Sequence, residues 1–291
     1  MAGTRPGGRA NAIDRAPAAG DRGPVTSREP NELDGAALAA AAPLVARERR
    51  MAIAVLVVLA GASVLPPTTP IGLRLLPALA AAALVALSWK RPTPASGMAV
   101  LVAALLSVSW LSPFSWQISM AFAIGALAVA SRYRPNWGAP VVVRGRLLLG
   151  GTLLCAIVTP LALVGWVALL RPDVSNVVEA IPDYPVAALL SAGVGFALVN
   201  ALLEEWIWRG VFQARLTRLF GPTAGVALQA ASFGIAHAWG FPRGVVGVLL
   251  VGVWAVMLGV LRHHARGLLA VVVAHVVADA TIAAIVLFWL R

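Results

Sequence analysis

From Met51 onward the chain alternates between long apolar runs and short polar breaks. The runs show neither the period-2 alternation of a half-buried strand nor the one-sided period-3.6 stripe of a helix facing water. Apolar on every face, they read as helices surrounded by lipid or by one another. Lipid offers the backbone no hydrogen-bond partners, so only helices and closed barrels cross it, and these runs are too long and too uniform for barrel strands. Nine spans are predicted, at 51–65, 71–89, 97–112, 115–131, 147–170, 185–208, 222–240, 244–261 and 267–290. A straight crossing takes ~20 residues, so the shorter runs leave eight or nine crossings, one short pair being able to form a re-entrant hairpin. The expected fold is all-α, a polytopic transmembrane helical bundle.

Residues 1–50 form a tail rich in Gly, Pro, Arg and Asp, without the apolar content for a core. Disorder is expected over 1–30. A short helix is expected over 31–50, with Glu32 and Asp34 early and Arg47, Arg49 and Arg50 late, as the helix dipole favours; Pro43 counts against it. No basic-then-apolar leader with a cleavage site opens the chain, so the first span is expected to stay as an anchor. Residues 51–146 then hold N-terminal spans nearly free of ionisable interiors, and 147–291 the spans that carry charge.

Composition sharpens this picture. Sixty per cent of residues are hydrophobic and 12% charged, about half the charged share of a soluble domain. The net charge of +11 does not make nucleic acid a partner, because the basic residues sit in short clusters between spans rather than along one face. Such clusters set orientation. With a cytoplasmic N-terminus the inside loops hold Lys90, Arg91, Arg132, Arg134, Arg144, Arg146, Arg215, Arg218, Arg262 and Arg266, while the outside loops hold Arg74, Arg171, Arg243, Asp173, Glu179 and Asp183. Trp89, Trp110, Trp116, Trp137, Trp239 and Trp289 fall near span ends and read as interfacial anchors. Gly193, Gly195, Gly247, Gly252 and Gly259 read as packing residues that let helices approach. The single cysteine, Cys155, excludes an intrachain disulfide and reads as a small packing residue. His263 and His264 fall in a basic loop and read as solvated.

The costly residues lie late. The sixth span ends with Asn200, Glu204, Glu205 and Arg209; the seventh holds Phe233 and His237; the ninth holds His275 and Asp279. An ionised acid at a span centre costs ~2.5–3.5 kcal/mol or more, so such residues persist where they pair, meet water or do chemistry. Residues four apart share a helix face. Glu205 and Arg209 are so spaced and read as an intrahelical ion pair, which leaves Glu204 free, with Asn200 one turn before it and placed to hydrogen-bond it. His275 and Asp279 are also four apart, so the carboxyl group can hold the imidazole in one tautomer. Phe233, one turn before His237, reads as a wall against lipid. One free carboxylate, two imidazoles and a further carboxyl group make a set that can activate water. Glu204, His237 and His275 equally make a zinc set with one open position. Helix rise puts His275 ~12 Å and His237 ~22 Å from the cytoplasmic ends of their spans, a difference in depth that a shared site has to absorb.

The three motifs Glu204-Glu205-x-x-x-Arg209, Phe233-x-x-x-His237 and His275-x-x-x-Asp279, in that order and each in an apolar span, resemble those of the CPBP intramembrane endopeptidases, the CAAX protease or Abi family. The resemblance covers about 185–290. It implies hydrolysis of a peptide bond in a membrane-anchored peptide or protein, with Glu204 and His237 activating water, His275 and Asp279 stabilising the oxyanion, and Glu205 and Arg209 supporting the site. The CAAX-processing members carry Asn at the last position; Asp279 donates a hydrogen bond only when protonated, which puts its oxyanion role in question. Both glutamate and zinc mechanisms have been ascribed to the family. A catalytically silent scaffold or immunity protein and a proton-coupled transporter using the same four residues are the competing readings.

Overall fold

The computed structural model describes residues 30–90, 92–109, 115–138 and 142–291; for residues 30–40, 115 and 176 it describes the backbone alone. The disorder expected at the N-terminus, Trp110 and Arg91 fall outside the described residues. All regular elements among them are helical: α1 (Pro30–Val64), α2 (Ile71–Trp89), α3 (Ser96–Val108), α4 (Ser115–Tyr133), α5 (Leu149–Leu170), the short α6 (Ser175–Glu179), α7 (Val186–Glu205), α8 (Ala214–Phe220), α9 (Pro222–Ala236), α10 (Gly244–Ala265) and α11 (Leu269–Ile285). By their internal contacts residues 42–291 form one compact unit, and this unit holds the site.

Five helical segments are long and apolar enough to cross a membrane: Ile71–Trp89, Leu149–Leu170, Val186–Phe220, Gly244–Ala265 and Leu269–Leu290. Large apolar side chains such as Leu79, Leu87 and Leu169 stay exposed on them, which is costly in water and costless in lipid. The helix α1 runs without a break from the segment expected as a tail helix through the first expected span, Pro43 included.

Several expected boundaries move. The sixth span does not stop at 208: a π-helical stretch, Trp206–Gln213, joins α7 to α8, so one helical rod spans Val186–Phe220. Hydropathy falls where Arg209, Gln213 and Arg215 begin, but these side chains are buried against protein, so polarity there does not end the helix. Arg215, expected in a loop, lies in α8 and donates to the carbonyls of Asn136, at 3.0 Å, and Gly138. His263 and His264 belong to the last turn of α10 rather than to a loop. The rod ends at Gly221, whose φ of 85° is open to glycine and strained for other residues. Pro222 then starts α9 at its first position.

Packing pairs α2 with α3, α3 with α4, α7 and α5 with α11, and α9 with α8 and α10. One apolar cluster joins Val55 and Leu59 of α1, Met98 and Leu101 of α3 and Met120 of α4 to Ile207, Trp208 and Phe212 of the π segment. A second, around Cys155, Leu258 and Ala274, joins α5, α10 and α11. The expected packing glycines divide. A Cβ on Gly193 would stand 3.3 Å from that of Ala283, and one on Gly259 2.9 Å from Val226, whereas Gly195 and Gly252 would meet nothing within 4 Å and Gly247 would meet Pro242 of the loop before α10. The tightest approach of α9 to α10 is at Gly234, where a Cβ would lie 2.7 Å from the Val248 carbonyl oxygen and 3.1 Å from the Gly252 Cα.

Candidate active site

The site forms where the end of α7, the end of α9 and the middle of α11 meet. Measured from the turn at Gly221, Glu204 stands ~24 Å back along the rod and His237 ~22 Å forward along α9. The extension of the rod to Phe220 therefore brings Glu204 and His237 level, and the difference in depth expected between His237 and His275 does not keep those two from one cavity. Glu204, His237, His275 and Asp279 all line one cavity of about 660 Å³, together with Asn200. Its remaining walls are mostly apolar, among them Leu163 of α5, Leu250 of α10 and Ile282 of α11, and Trp116 and Gln117 reach it from α4.

Glu205 is fully buried and is the structural hub. Its Oε1 accepts from Arg209 Nη1 at 2.7 Å, the expected intrahelical pair. The same oxygen accepts from His275 Nδ1, also at 2.7 Å. The imidazole is therefore fixed by Glu205 across the bundle. Asp279 does not fix it: its Oδ1 stands 3.7 Å from His275 Nε2, beyond a hydrogen bond. Same-face spacing along α11 brought the two near, but the shorter partner comes from another helix. With Nδ1 committed, Nε2 points between Asp279 Oδ1 and Glu204 Oε2, 3.6 Å away.

Phe233 corrects a second expectation. It does not wall off lipid; it is fully buried at the centre of the site. Its ring lies 4.5 Å from that of His237 and 5.2 Å from that of Trp208, and the Arg209 guanidinium sits 4.6 Å from its centroid. Arg209 Nε and Nη2 have no hydrogen-bond partner among the described residues, so the ring face is what receives that side of the cation. Trp254 closes the box, edge-on to His275 at 4.7 Å and 89°.

His237 caps α9, and its Nδ1 lies 2.9 Å from the Phe233 carbonyl oxygen. A carbonyl only accepts, so Nδ1 carries the proton and, in the neutral ring, Nε2 keeps its lone pair. Asn200 does not bond Glu204 as expected. Its Nδ2 donates to Asp279 Oδ2 at 3.2 Å, and its Oδ1 accepts from Gln117 Nε2 at 2.9 Å. Glu204 Oε1 accepts instead from Trp116 Nε1 at 3.1 Å, while Oε2 is buried with no hydrogen-bond partner among the described residues. Trp116 is thus no simple interfacial anchor. Sequence reasoning missed Trp116 and Gln117 because they lie on a span with no ionisable interior; the only signal was a glutamine next to a tryptophan in an apolar run.

Among the described residues no group of three or more His, Cys, Asp or Glu side chains is arranged to hold a metal ion. In Glu204, His237 and His275, the zinc set weighed from the sequence, Nδ1 of each histidine is engaged by protein, which leaves Nε2 as the nitrogen of each that could hold a metal.

A bundle of apolar helices that buries carboxylates and imidazoles around a common cavity defines a multi-pass membrane protein with a buried polar site. Residues 186–281 match the family model of the Rce1-like type II CAAX prenyl endopeptidases, so this part of the chain is similar to that family. No curated protein and no solved structure matches the chain.

Proposed function

We propose that this chain is an intramembrane endopeptidase that hydrolyses a peptide bond of a membrane-associated peptide or protein. The observation that carries the reading is the free oxygen of Glu204. A carboxylate held at Oε1, with Oε2 buried, unpartnered and 3.6 Å from His275 Nε2, is placed to take a proton from water. In this reading the water donates one proton to Glu204 Oε2 and its second hydrogen bonds the lone pair of His237 Nε2. The oxygen attacks the carbonyl carbon. His275, doubly protonated with Nδ1–H on Glu205, turns Nε2–H to the developing oxyanion. Glu204 then returns its proton to the leaving nitrogen, the C–N bond breaks, and one water has been consumed. Asp279 acts here as a carboxylate that accepts from Asn200 and keeps the imidazolium charged, rather than as an oxyanion donor. No step passes through a metal.

The reading includes the finer topology: a cytoplasmic N-terminus and eight or nine crossings, supported by the basic clusters between spans.

The test is purified protein in nanodiscs with a panel of membrane-anchored fluorogenic peptides, products identified by mass. Glu204→Gln is expected to slow cleavage by about 100-fold or more, and a chelator is expected to leave the rate unchanged. Full activity in Glu204→Gln would sink the proposal. Loss with chelator, restored by Zn²⁺, would replace the carboxylate mechanism by a metal one.

A further inference from the structure

The family match begins at Val186, and every motif residue lies beyond it. Two side chains nevertheless reach the cavity from α4, outside the match. Trp116 donates to Glu204 and Gln117 to Asn200, at 3.1 and 2.9 Å. We propose that Trp116 and Gln117 are positioning residues of the hydrolytic site: Trp116 decides which oxygen of Glu204 receives the proton, and Gln117 fixes the direction of the Asn200–Asp279 hydrogen bond. The inference rests on the reading of Glu204 as the base.

The two oxygens of a glutamate are exchangeable, because its last torsion is broad and roughly two-fold. A single donor at one oxygen removes that equivalence. The indole N–H only donates and does not take up a proton, so it holds Oε1 without competing for the proton of water. Phe would keep the ring and lose only this bond. The indole is the one hydrogen-bond donor Glu204 has among the described residues.

An Asn amide has the same polarity problem, since its oxygen and nitrogen ends can exchange by a flip. A carboxylate at Asp279 needs the nitrogen end. Gln117 presents N–H to the oxygen end, so the chain Gln117 to Asn200 to Asp279 runs donor to acceptor in one direction. A Glu at position 117 could only accept. It would favour the flipped amide and set the Asn200 oxygen against Asp279.

Two measurements test this, and they fail separately from the proposed function. The first is the indole ¹⁵N–¹H spectrum of tryptophan-labelled protein in micelles, with the Trp116 signal identified by its absence in Trp116→Phe. Glu204→Gln is expected to move that signal toward weaker hydrogen bonding, and Asp183→Asn, far outside the cavity, to leave it in place. The other indole signals report whether the fold is kept. A Trp116 signal indifferent to Glu204→Gln overturns the assignment of Trp116, whether or not the protein cleaves anything. The second is kinetics on a cleaved peptide of the panel. Trp116→Phe and Gln117→Leu are expected to lower kcat about 10- to 100-fold with KM within about twofold, as loss of a bond to a charged group implies. Gln117→Glu is expected to fall below Gln117→Leu, an order that a packing role would reverse, because Glu is nearer to Gln in shape. Unchanged kcat in Trp116→Phe and Gln117→Leu, or the reverse order at 117, overturns the proposal. If the wild-type protein cleaves no peptide, the endopeptidase reading fails and the spectrum alone decides on Trp116.

Discussion

Glu204 and Glu205 are adjacent in sequence and opposite in role. Glu205 neutralises the Arg209 guanidinium, which has no other anion within hydrogen-bond reach among the described residues, and both groups are fully buried. Replacing it by Gln leaves a buried cation without its partner, a loss of about 3–5 kcal/mol, so Glu205→Gln is expected to lower the midpoint of detergent-mediated unfolding sharply. Glu204 makes one bond to a neutral indole, so Glu204→Gln is expected to unfold near the wild-type midpoint while losing activity. Equal midpoints for the two variants would contradict this division. The Glu205–Arg209 pair was legible in the sequence because both groups sit on one helix, where spacing fixes distance. The partner of His275 was not. Spacing offered Asp279, and the bundle supplied Glu205, 70 positions away. Asn200 was misassigned to Glu204 for the same reason: a pattern along one helix cannot see the side chain that a second helix brings closer.

At the scale of elements, five of the nine predicted spans are helices long and apolar enough to cross a membrane, and hydropathy placed their ends poorly. The rod Val186–Phe220 outlasts its apolar run because Arg209, Gln213 and Arg215 find partners inside the protein, Gln213 donating to the Gly259 carbonyl at 2.7 Å. A scale that measures preference for lipid has no means of registering a polar side chain satisfied by a neighbouring helix. The glycines show the same limit. Composition marked Gly252 and passed over Gly234, although it is Gly234 that lacks room for a Cβ. Gly234→Ala is expected to cost about 1–3 kcal/mol by forcing α9 off α10, whereas Gly252→Ala is expected to lie within about 0.5 kcal/mol of wild type. Unfolding curves of the two variants in one detergent compare them directly. Because α9 carries Phe233 and His237, Gly234→Ala should also reduce cleavage, and Gly252→Ala should not.

For the whole molecule, the class was plain from the sequence: long apolar runs with few charges leave little besides a helical membrane protein. The participation of α4 was not, since nothing in its composition ties it to residues some 80 positions later. Sidedness can be tested without any substrate. Arg291 pairs with Asp183 at 3.0 Å, so the end of the chain and the segment before α7 share a face of the bundle. The 22 residues of α10 reach ~33 Å, enough to cross the hydrocarbon layer. In a Cys155→Ser background, Asp183→Cys and Arg291→Cys are expected to react with an impermeant maleimide from one side of the membrane and His264→Cys from the other. Labelling of Asp183→Cys and His264→Cys from the same side would rule the arrangement out. The π stretch sets a different kind of limit. A π turn accommodates one more residue than an α turn. Deleting one residue between Trp206 and Gln213 would let the stretch rewind as α-helix with α8 near its present orientation, whereas inserting one would swivel the seven residues of α8 by ~100°, tearing Arg215 from the carbonyls it now ties. The spelling of that stretch can drift one letter at a time, but its length cannot grow.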